Sequence, residues 1–394
     1  MKLTNLINKL GAFEPDGAPF ISLYLDTRAN DDGREDYRIW IKKEISEAAG
    51  DFAEDSDEAK QINASIERIQ EFLDTETDAA ANGIAVFAAS GGSDFFETVQ
   101  VDEPFQDNRL LVSDRPHLFP LVRMVEQNPR YAVLWVDTNK ADIYVFGGEN
   151  NLNIETETEA KVEEIQGDKT GRSKVGGWSQ ARYQRRIENF QLQHAKETVE
   201  ELEKLMSRAK IEHLVLCGDE TAIMPLLRPQ LSKETEESVV AVLHMSQYES
   251  EQEIREKTHE AMGIENAVKD KERVERVFNA AKSAAGLGTL GVEKTLAALS
   301  NGQVEELVIS SGFDAIKYNT KKVEKILEDY APGDDNSASS DLPAADEKRQ
   351  IADELIIRAL NSAAKIVFVE DGSLLQEAGG VGAVLRYNMN ATAS

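Results

Sequence analysis

The sequence has 394 residues, 41% hydrophobic and 29% charged, too long for one ordinary core and suited to two or three domains with substantial interiors. A single cysteine excludes an intrachain disulfide framework and a cysteine-rich zinc site, and no apolar run approaches the ~18 residues of a membrane span. The formal net charge of −28 argues against nonspecific nucleic-acid binding by the chain as a whole, because a polyanion would be repelled. With no apolar leader region in Met1 to Phe13, a cytoplasmic protein is the default expectation.

The pattern predicts an α/β fold in three α/β domains. In the first, residues 1–125, a strand is expected over Phe20 to Leu25, helices over Glu35 to Ala49 and Ala59 to Leu73, and strands over Gly83 to Ala88 and Phe95 to Val101. In the second, 130–262, strands over Tyr131 to Val136 and Ile143 to Phe146 form a hairpin around Asp137 to Lys140. Leu152 to Glu159 alternates as a half-exposed strand does, and Ala160 to Gly177 is too irregular for either period. A long helix is expected over Ser179 to Ala209, with an apolar stripe through Ile187, Phe190, Ala195, Val199, Leu202 and Met206. Strands over Leu214 to Cys217 and Val239 to Leu243 and a helix over Glu251 to Met262 complete this domain. Cys217, in an apolar run, reads as a small buried hydrophobe rather than a nucleophile.

The third domain, 266–394, is expected to open with a helix from Ala267 to Ala285 that stops at Gly286. A short helix, Val292 to Leu299, is closed by Asn301-Gly302, and strands follow at Glu306 to Ser310 and Lys365 to Val369. Between those strands, 331–350 is rich in Pro, Gly, Ser, Asp and Ala and reads as an acidic flexible insert.

Several familiar motifs fail. Gly286, Gly288 and Gly291 have dinucleotide-loop spacing, but a helix precedes them where a strand is required, so a turn between two helices is expected. None of the five histidines pairs with another at i, i+4, so no metal site is expected, and no serine-hydrolase elbow is present. The charge, however, is uneven. Acidic stretches lie at 51–58, 154–164 and 232–260, whereas Lys169, Arg172, Lys174, Arg182, Arg185 and Arg186 cluster between Asp168 and Glu188. Such an island reads either as a contact site for an anion or as a solvated helix face. Within it, segment 171–186 combines Gly176-Gly177, Trp178 and Gln180 with basic residues on both sides and a long helix behind. Glycines permit close backbone approach, Arg and Lys attract phosphate, Trp stacks on a base or sugar, and Gln both donates and accepts.

This segment resembles the Gly-Gly-Gln loop of the archaeo-eukaryotic class-1 peptide release factors, where a helix carrying Arg-aromatic-x-Arg follows the tip. Here Arg182-Tyr183-Gln184-Arg185 follows Gly176-Gly177 at the same spacing. Gly291-Val292-Glu293-Lys294-Thr295-Leu296 and Gly379-Gly380-Val381-Gly382-Ala383-Val384-Leu385-Arg386-Tyr387 are similar to two stretches of the C-terminal domain of the release factor and Pelota superfamily. In an ungapped alignment Trp178 stands where the family has its catalytic Gln, and Gln180 lies two residues later, which is similar to the Gly-Gly-x-Ser-Gln loop of the Vms-type peptidyl-tRNA hydrolases. No Asn-Ile-Lys-Ser-like codon-reading motif occurs in 1–125, so a codon-independent branch fits better.

The resemblance implies a ribosome-associated translation factor that inserts 171–186 into the peptidyl-transferase centre and hydrolyses peptidyl-tRNA. It assigns catalysis to Gln180, Gly176 and Gly177, and contacts with rRNA and peptidyl-tRNA to Lys174, Trp178, Arg182, Arg185 and Arg186. It implies no cofactor and no membrane, and for residues 266–394 a translational GTPase of the elongation-factor-Tu type as partner. An alternative is a non-hydrolytic protein of the ribosomal A site, Pelota-like or a hibernation factor. A third is an acidic α/β protein with an unrelated partner.

Overall fold

The computed structural model describes residues 3–29, 36–50, 52, 56–91, 94–101, 103–147, 165–166, 178–219, 221–245, 249–329 and 344–388. The chain divides into two compact units, one built from residues 1–127 with 267–394, the other from 128–148 with 156–266. The described residues form three sheets, two in the first unit and one in the second.

In the first unit the elements run α1 (Leu3–Gly11), β1 (Phe20–Asp26), α2 (Tyr37–Gly50), α3 (Asp57–Thr75), β2 (Gly83–Ala89), β3 (Phe95–Val101), β4 (Arg109–Ser113) and α4 (Phe119–Gln127). The sheet is antiparallel in the order β3-β2-β1-β4. β1 reads as a continuous apolar run because both of its faces are covered. Ile21, Leu23 and Leu25 pack with Ile41, Ile45, Ile62, Ile66 and Ile69 of α2 and α3, while Phe20 and Tyr24 face a second core.

That second core is shared with the end of the chain. There the elements are β10 (Gly288–Leu290), α9 (Val292–Ser300), β11 (Val304–Ser310), α10 (Thr320–Asp329), α11 (Ala344–Asn361), β12 (Lys365–Val369) and β13 (Val381–Leu385), with sheet order β10-β13-β11-β12. β11 and β12 are parallel; the other pairs are antiparallel. Leu3, Leu6, Ile7 and Leu10 of α1 and Phe119, Leu121 and Val122 of α4 join Leu355, Ile356, Ile309 and Phe368 in one cluster. The 3-4 spacing of the α1 apolar residues puts them on one face, and burying each such side chain stabilises by about 1.5–3 kcal/mol. The N- and C-terminal stretches thus share an interior.

The second unit contains β5 (Tyr131–Val136), β6 (Lys140–Phe146), β7 (Ile165–Gln166), α5 (Trp178–Ala209), β8 (His213–Gly218), α6 (Met224–Leu227), α7 (Lys233–Glu237), β9 (Val239–Leu243) and the start of α8 (Glu251–Lys282). The sheet order is β7-β6-β5-β8-β9, with β5, β8 and β9 parallel. The expected hairpin forms: Asp137 N–H donates to Lys140 O at 2.8 Å, and Asp137 Oδ1 accepts from the N–H groups of Asn139 and Lys140. Local side-chain bonds of this kind are how Asp makes tight turns.

Four expectations are corrected. The two helices anticipated at 251–262 and 267–285 are one helix, α8. Gly263 lies inside it with open space where a Cβ would stand, and one helical glycine costs only about 1 kcal/mol. The turn anticipated at Gly286 to Gly291 contains a short strand, β10, paired with β13, whose partner residues lie nearly a hundred positions away. The insert anticipated to 350 gives way to α11 at Ala344, where Ala, Glu, Lys, Arg and Gln are all good helix formers. Within the irregular stretch 160–177, Ile165–Gln166 pairs with Lys140–Ala141. The expected strand over Leu152 to Glu159 and the insert from 331 to 343 lie outside the described residues.

Candidate functional site

The long helix α5 organises the candidate site. Its second half carries Ala195, Val199, Leu202 and Met206 at 4-3-4 spacing, all buried against Ala132, Leu134, Val136, Ile143, Leu214 and Leu216 of the sheet. It ends because Lys210 turns left-handed, with φ +53°, while Ile211 N–H reaches back to Met206 O at 2.9 Å. This is the left-handed stop by which helices satisfy their last carbonyls.

The first half differs. Arg185, Glu188 and Asn189 are exposed, Phe190 to Leu192 are half-buried, and His194 is the first buried residue among the described side chains. From Trp178 to His194 the helix advances about 24 Å at ~1.5 Å per residue. The start of α5 carries no acidic residue in its first turn. A helix N-terminus presents free N–H groups and a partial positive charge, so arginines there reinforce its attraction for anions.

Of the predicted site residues, Trp178, Gln180, Arg182, Arg185 and Arg186 all lie on this first half of α5, and Arg185 is exposed. Lys174, Gly176 and Gly177 lie outside the described residues. At ~100° per residue, positions 178, 182, 185 and 186 run along one side of the helix, and position 180 falls on the other.

The structure also places polar groups that the sequence did not single out. His194 and Thr198, one turn apart on α5, are buried, and neither ring nitrogen nor the hydroxyl has a partner among the described residues. No spacing signal marks them, because each lies at the margin of an ordinary helical stripe. Cys217 is fully buried, and burial pushes its thiol up to about 12, which suits an inert core position. Among the described residues no cluster of His, Cys, Asp and Glu could hold a metal ion, and no helix is long and apolar enough to cross a membrane.

The two C-terminal motifs are structural in this chain. Gly291 begins α9 at φ +90°, Val292 and Leu296 are buried, and Thr295 shares a hydrogen bond of 3.0 Å with Thr289. Glu293 Oε1 accepts Asn319 N–H at 2.9 Å. Gly379 and Gly380 have φ +61° and +80°, and a Cβ on Gly380 would sit 2.5 Å from Ala315 O. Arg386 donates to the carbonyls of Ser362 and Ala363 that end α11, and the Tyr387 hydroxyl donates to Asn301 O.

The fold and the site together define a multidomain α/β protein that mounts a glycine-preceded, basic helix end on a packed domain. Residues 116–262 match the family described as bacterial archaeo-eukaryotic release factor family 10, and residues 267–389 match domain 3 of eRF1. Peptide chain release factor subunit 1 of Thermococcus kodakarensis is 25% identical over 361 residues, spanning 84% of this chain and 85% of that protein. Its counterpart in Methanocaldococcus jannaschii is 24% identical over 423 residues, spanning 98% and 96%. Among solved structures, a model of ribosome-bound archaeal Pelota with ABCE1 covers 98% of this chain and 94% of its own, at 14% identity and a TM-score of 0.40. The chain belongs to the archaeo-eukaryotic release factor and Pelota superfamily.

Proposed function

We propose that this protein is a cytoplasmic, codon-independent translation factor that acts on ribosomes and presents segment 171–186 to the peptidyl-transferase centre. The observation that supports this reading is the first half of α5, which carries Trp178, Gln180, Arg182, Arg185 and Arg186 and on which Arg185, Glu188 and Asn189 are exposed. Its curated relatives include archaeal peptide chain release factors, aligned along most of both chains.

In this reading the reaction is hydrolysis of the ester joining peptide to tRNA. Water attacks the ester carbonyl, the tRNA hydroxyl leaves, and the peptide departs as a free carboxylate. Gln180 orients the water, and Gly176 and Gly177 let the backbone come close enough for an N–H to meet the developing oxyanion. Lys174, Arg182, Arg185 and Arg186 hold rRNA or tRNA phosphates, and Trp178 stacks on a base or sugar. No step needs a metal or a general base of shifted pKa. Residues 267–389, which match domain 3 of eRF1, are the proposed contact for a translational GTPase of the elongation-factor-Tu type.

One observation favours a second reading. Trp178 stands in the family's Gln position, and on the helix Gln180 falls on the side away from Trp178 and Arg182. A protein so built would occupy the A site without hydrolysis, as a Pelota-like or hibernation factor. Co-sedimentation with 70S ribosomes and with isolated large subunits tests the part common to both readings. The intact chain is expected to pellet with at least one particle, and deletion of 171–177 to weaken that binding. A folded chain that pellets with neither overturns both readings.

A further inference from the structure

We propose that the free edge of β9 accepts an extended segment of a protein partner, apolar at its centre and basic at its flanks, as a sixth strand of the second unit's sheet. Among the described residues β9 is the edge strand, bonded only to β8. Its sequence, Val239-Val240-Ala241-Val242-Leu243, is wholly apolar, yet every residue is only half-buried, packed on one side against an apolar cluster. Edge strands usually carry a lysine, a proline or an inward charge that blocks further pairing. β9 has only a bulge at Val240, where the register against β8 shifts, so Ala241 to Leu243 form a regular edge.

The surroundings specify the charge of the occupant. β9 lies inside the acidic stretch 232–260. Glu234 and Glu237 on α7 are exposed just before it, and Glu251, Glu253 and Glu256 are exposed at the start of α8. Leu243 and Ile254 of α8 belong to one apolar cluster, which ties that carboxylate-bearing turn to the end of the strand. An apolar edge with an acidic rim fits an extended peptide whose main chain completes the ladder and whose flanking Lys or Arg meet the carboxylates. The same rim disfavours a second copy of this chain, which would bring like charge to like charge. The proposal concerns a protein contact on the sheet and does not depend on the hydrolysis assigned to the α5 tip.

The test uses the full chain and two fluorescent peptides sharing a Val-Thr-Val-Thr-Val centre, one flanked by lysines and the other by glutamates. The lysine peptide is expected to bind at least about ten-fold more tightly, to weaken as salt rises, and to slow amide hydrogen exchange within 239–243. Val242→Pro, which removes an amide that faces away from β8 and toward the edge, is expected to lower that affinity at least about ten-fold. Should Val242→Pro alter the circular dichroism, Val240→Lys keeps every amide, adds an edge charge, and carries the same expectation. The proposal is overturned by equal binding of the two peptides, by unchanged exchange in 239–243, or by full binding in a folded variant. It is also overturned by a concentration-dependent dimer that these substitutions dissolve, which would give the edge to a second copy.

Discussion

Asp353 Oδ1 accepts the backbone N–H groups of both Leu118 and Phe119 at 2.9 Å, so a carboxylate on α11 caps the first turn of α4 across 234 residues of sequence. Its other oxygen meets His117 Nδ1, and the Tyr24 hydroxyl donates to His117 O at 2.5 Å. The sheet of β1 and the helices around α11 are therefore joined by buried polar bonds as well as by apolar packing. Asp353→Ala leaves two N–H groups and an imidazole without their partner and is expected to cost roughly 3 kcal/mol. Urea unfolding of the first unit, followed at Trp40 and by circular dichroism, checks this. The expected result is one transition moved to lower urea, with the N- and C-terminal stretches melting together.

Glu126, near the end of α4, gives the first unit a pH dependence. Burial pushes its carboxyl up to about 7, against the opposing pull of the Phe368 N–H and of Arg273 at 3.8 Å. Burial likewise raises Asp270, which accepts Glu370 N–H and lies 3.5 Å from the same Arg273. The folded state therefore holds the Glu126 proton more tightly than the unfolded chain does. This contribution to stability is complete below about pH 4.5 and is lost as pH rises through about 7. Glu126→Gln keeps an acceptor for Phe368 and removes the ionisation. It is expected to flatten the stability profile over that window and to add about 1–3 kcal/mol at pH 8, measured by urea unfolding at a series of pH values.

Gly380 tests whether the closing glycine motif is a packing device. Its φ of +80° and the 2.5 Å approach that a Cβ would make to Ala315 O leave no place for a side chain. Gly380→Ala is expected to destabilise the first unit by about 2–4 kcal/mol. Where the variant remains folded, ribosome binding is expected to match wild type, read by co-sedimentation at low temperature.

Arg185 carries the electrostatic part of the account. It is exposed on the first half of α5, and a phosphate contact there should show in salt dependence. Arg185→Ala is expected to weaken ribosome binding several-fold and to lower the slope of log affinity against log salt by about 0.7–1. Titration of the intact chain and the variant over a range of potassium concentrations reads both numbers.

Strands whose apolar runs are short and bounded by turns were legible in the sequence: Phe95–Val101, Tyr131–Val136, Val239–Leu243 and Lys365–Val369 have the predicted ends. So was the long helix over 179–209, which starts one residue earlier at Trp178. Elements defined by distant partners were not. α1 is too short for its stripe to stand out, α4 is capped by Asp353 far along the chain, and β10 exists because β13 supplies its ladder. α8 reads as two helices because 251–262 and 267–285 fall in different expected domains, a boundary that backbone bonding overrides. The basic, glycine-preceded segment was legible as chemistry because residue types and spacing survive in sequence. The buried pair His194 and Thr198 was not, since burial at the edge of a stripe is set by packing.

The most direct measurement of the central claim uses stalled ribosomes carrying labelled peptidyl-tRNA, to which wild type, Gln180→Ala and Trp178→Ala are added in turn. Peptide release and co-sedimentation are followed together. The account predicts release by wild type that Gln180→Ala lowers by at least about 100-fold while binding persists. It predicts that Trp178→Ala chiefly weakens binding. Binding without release for all three proteins, on 70S ribosomes and on isolated large subunits, would contradict hydrolysis and leave occupancy of the A site as the function.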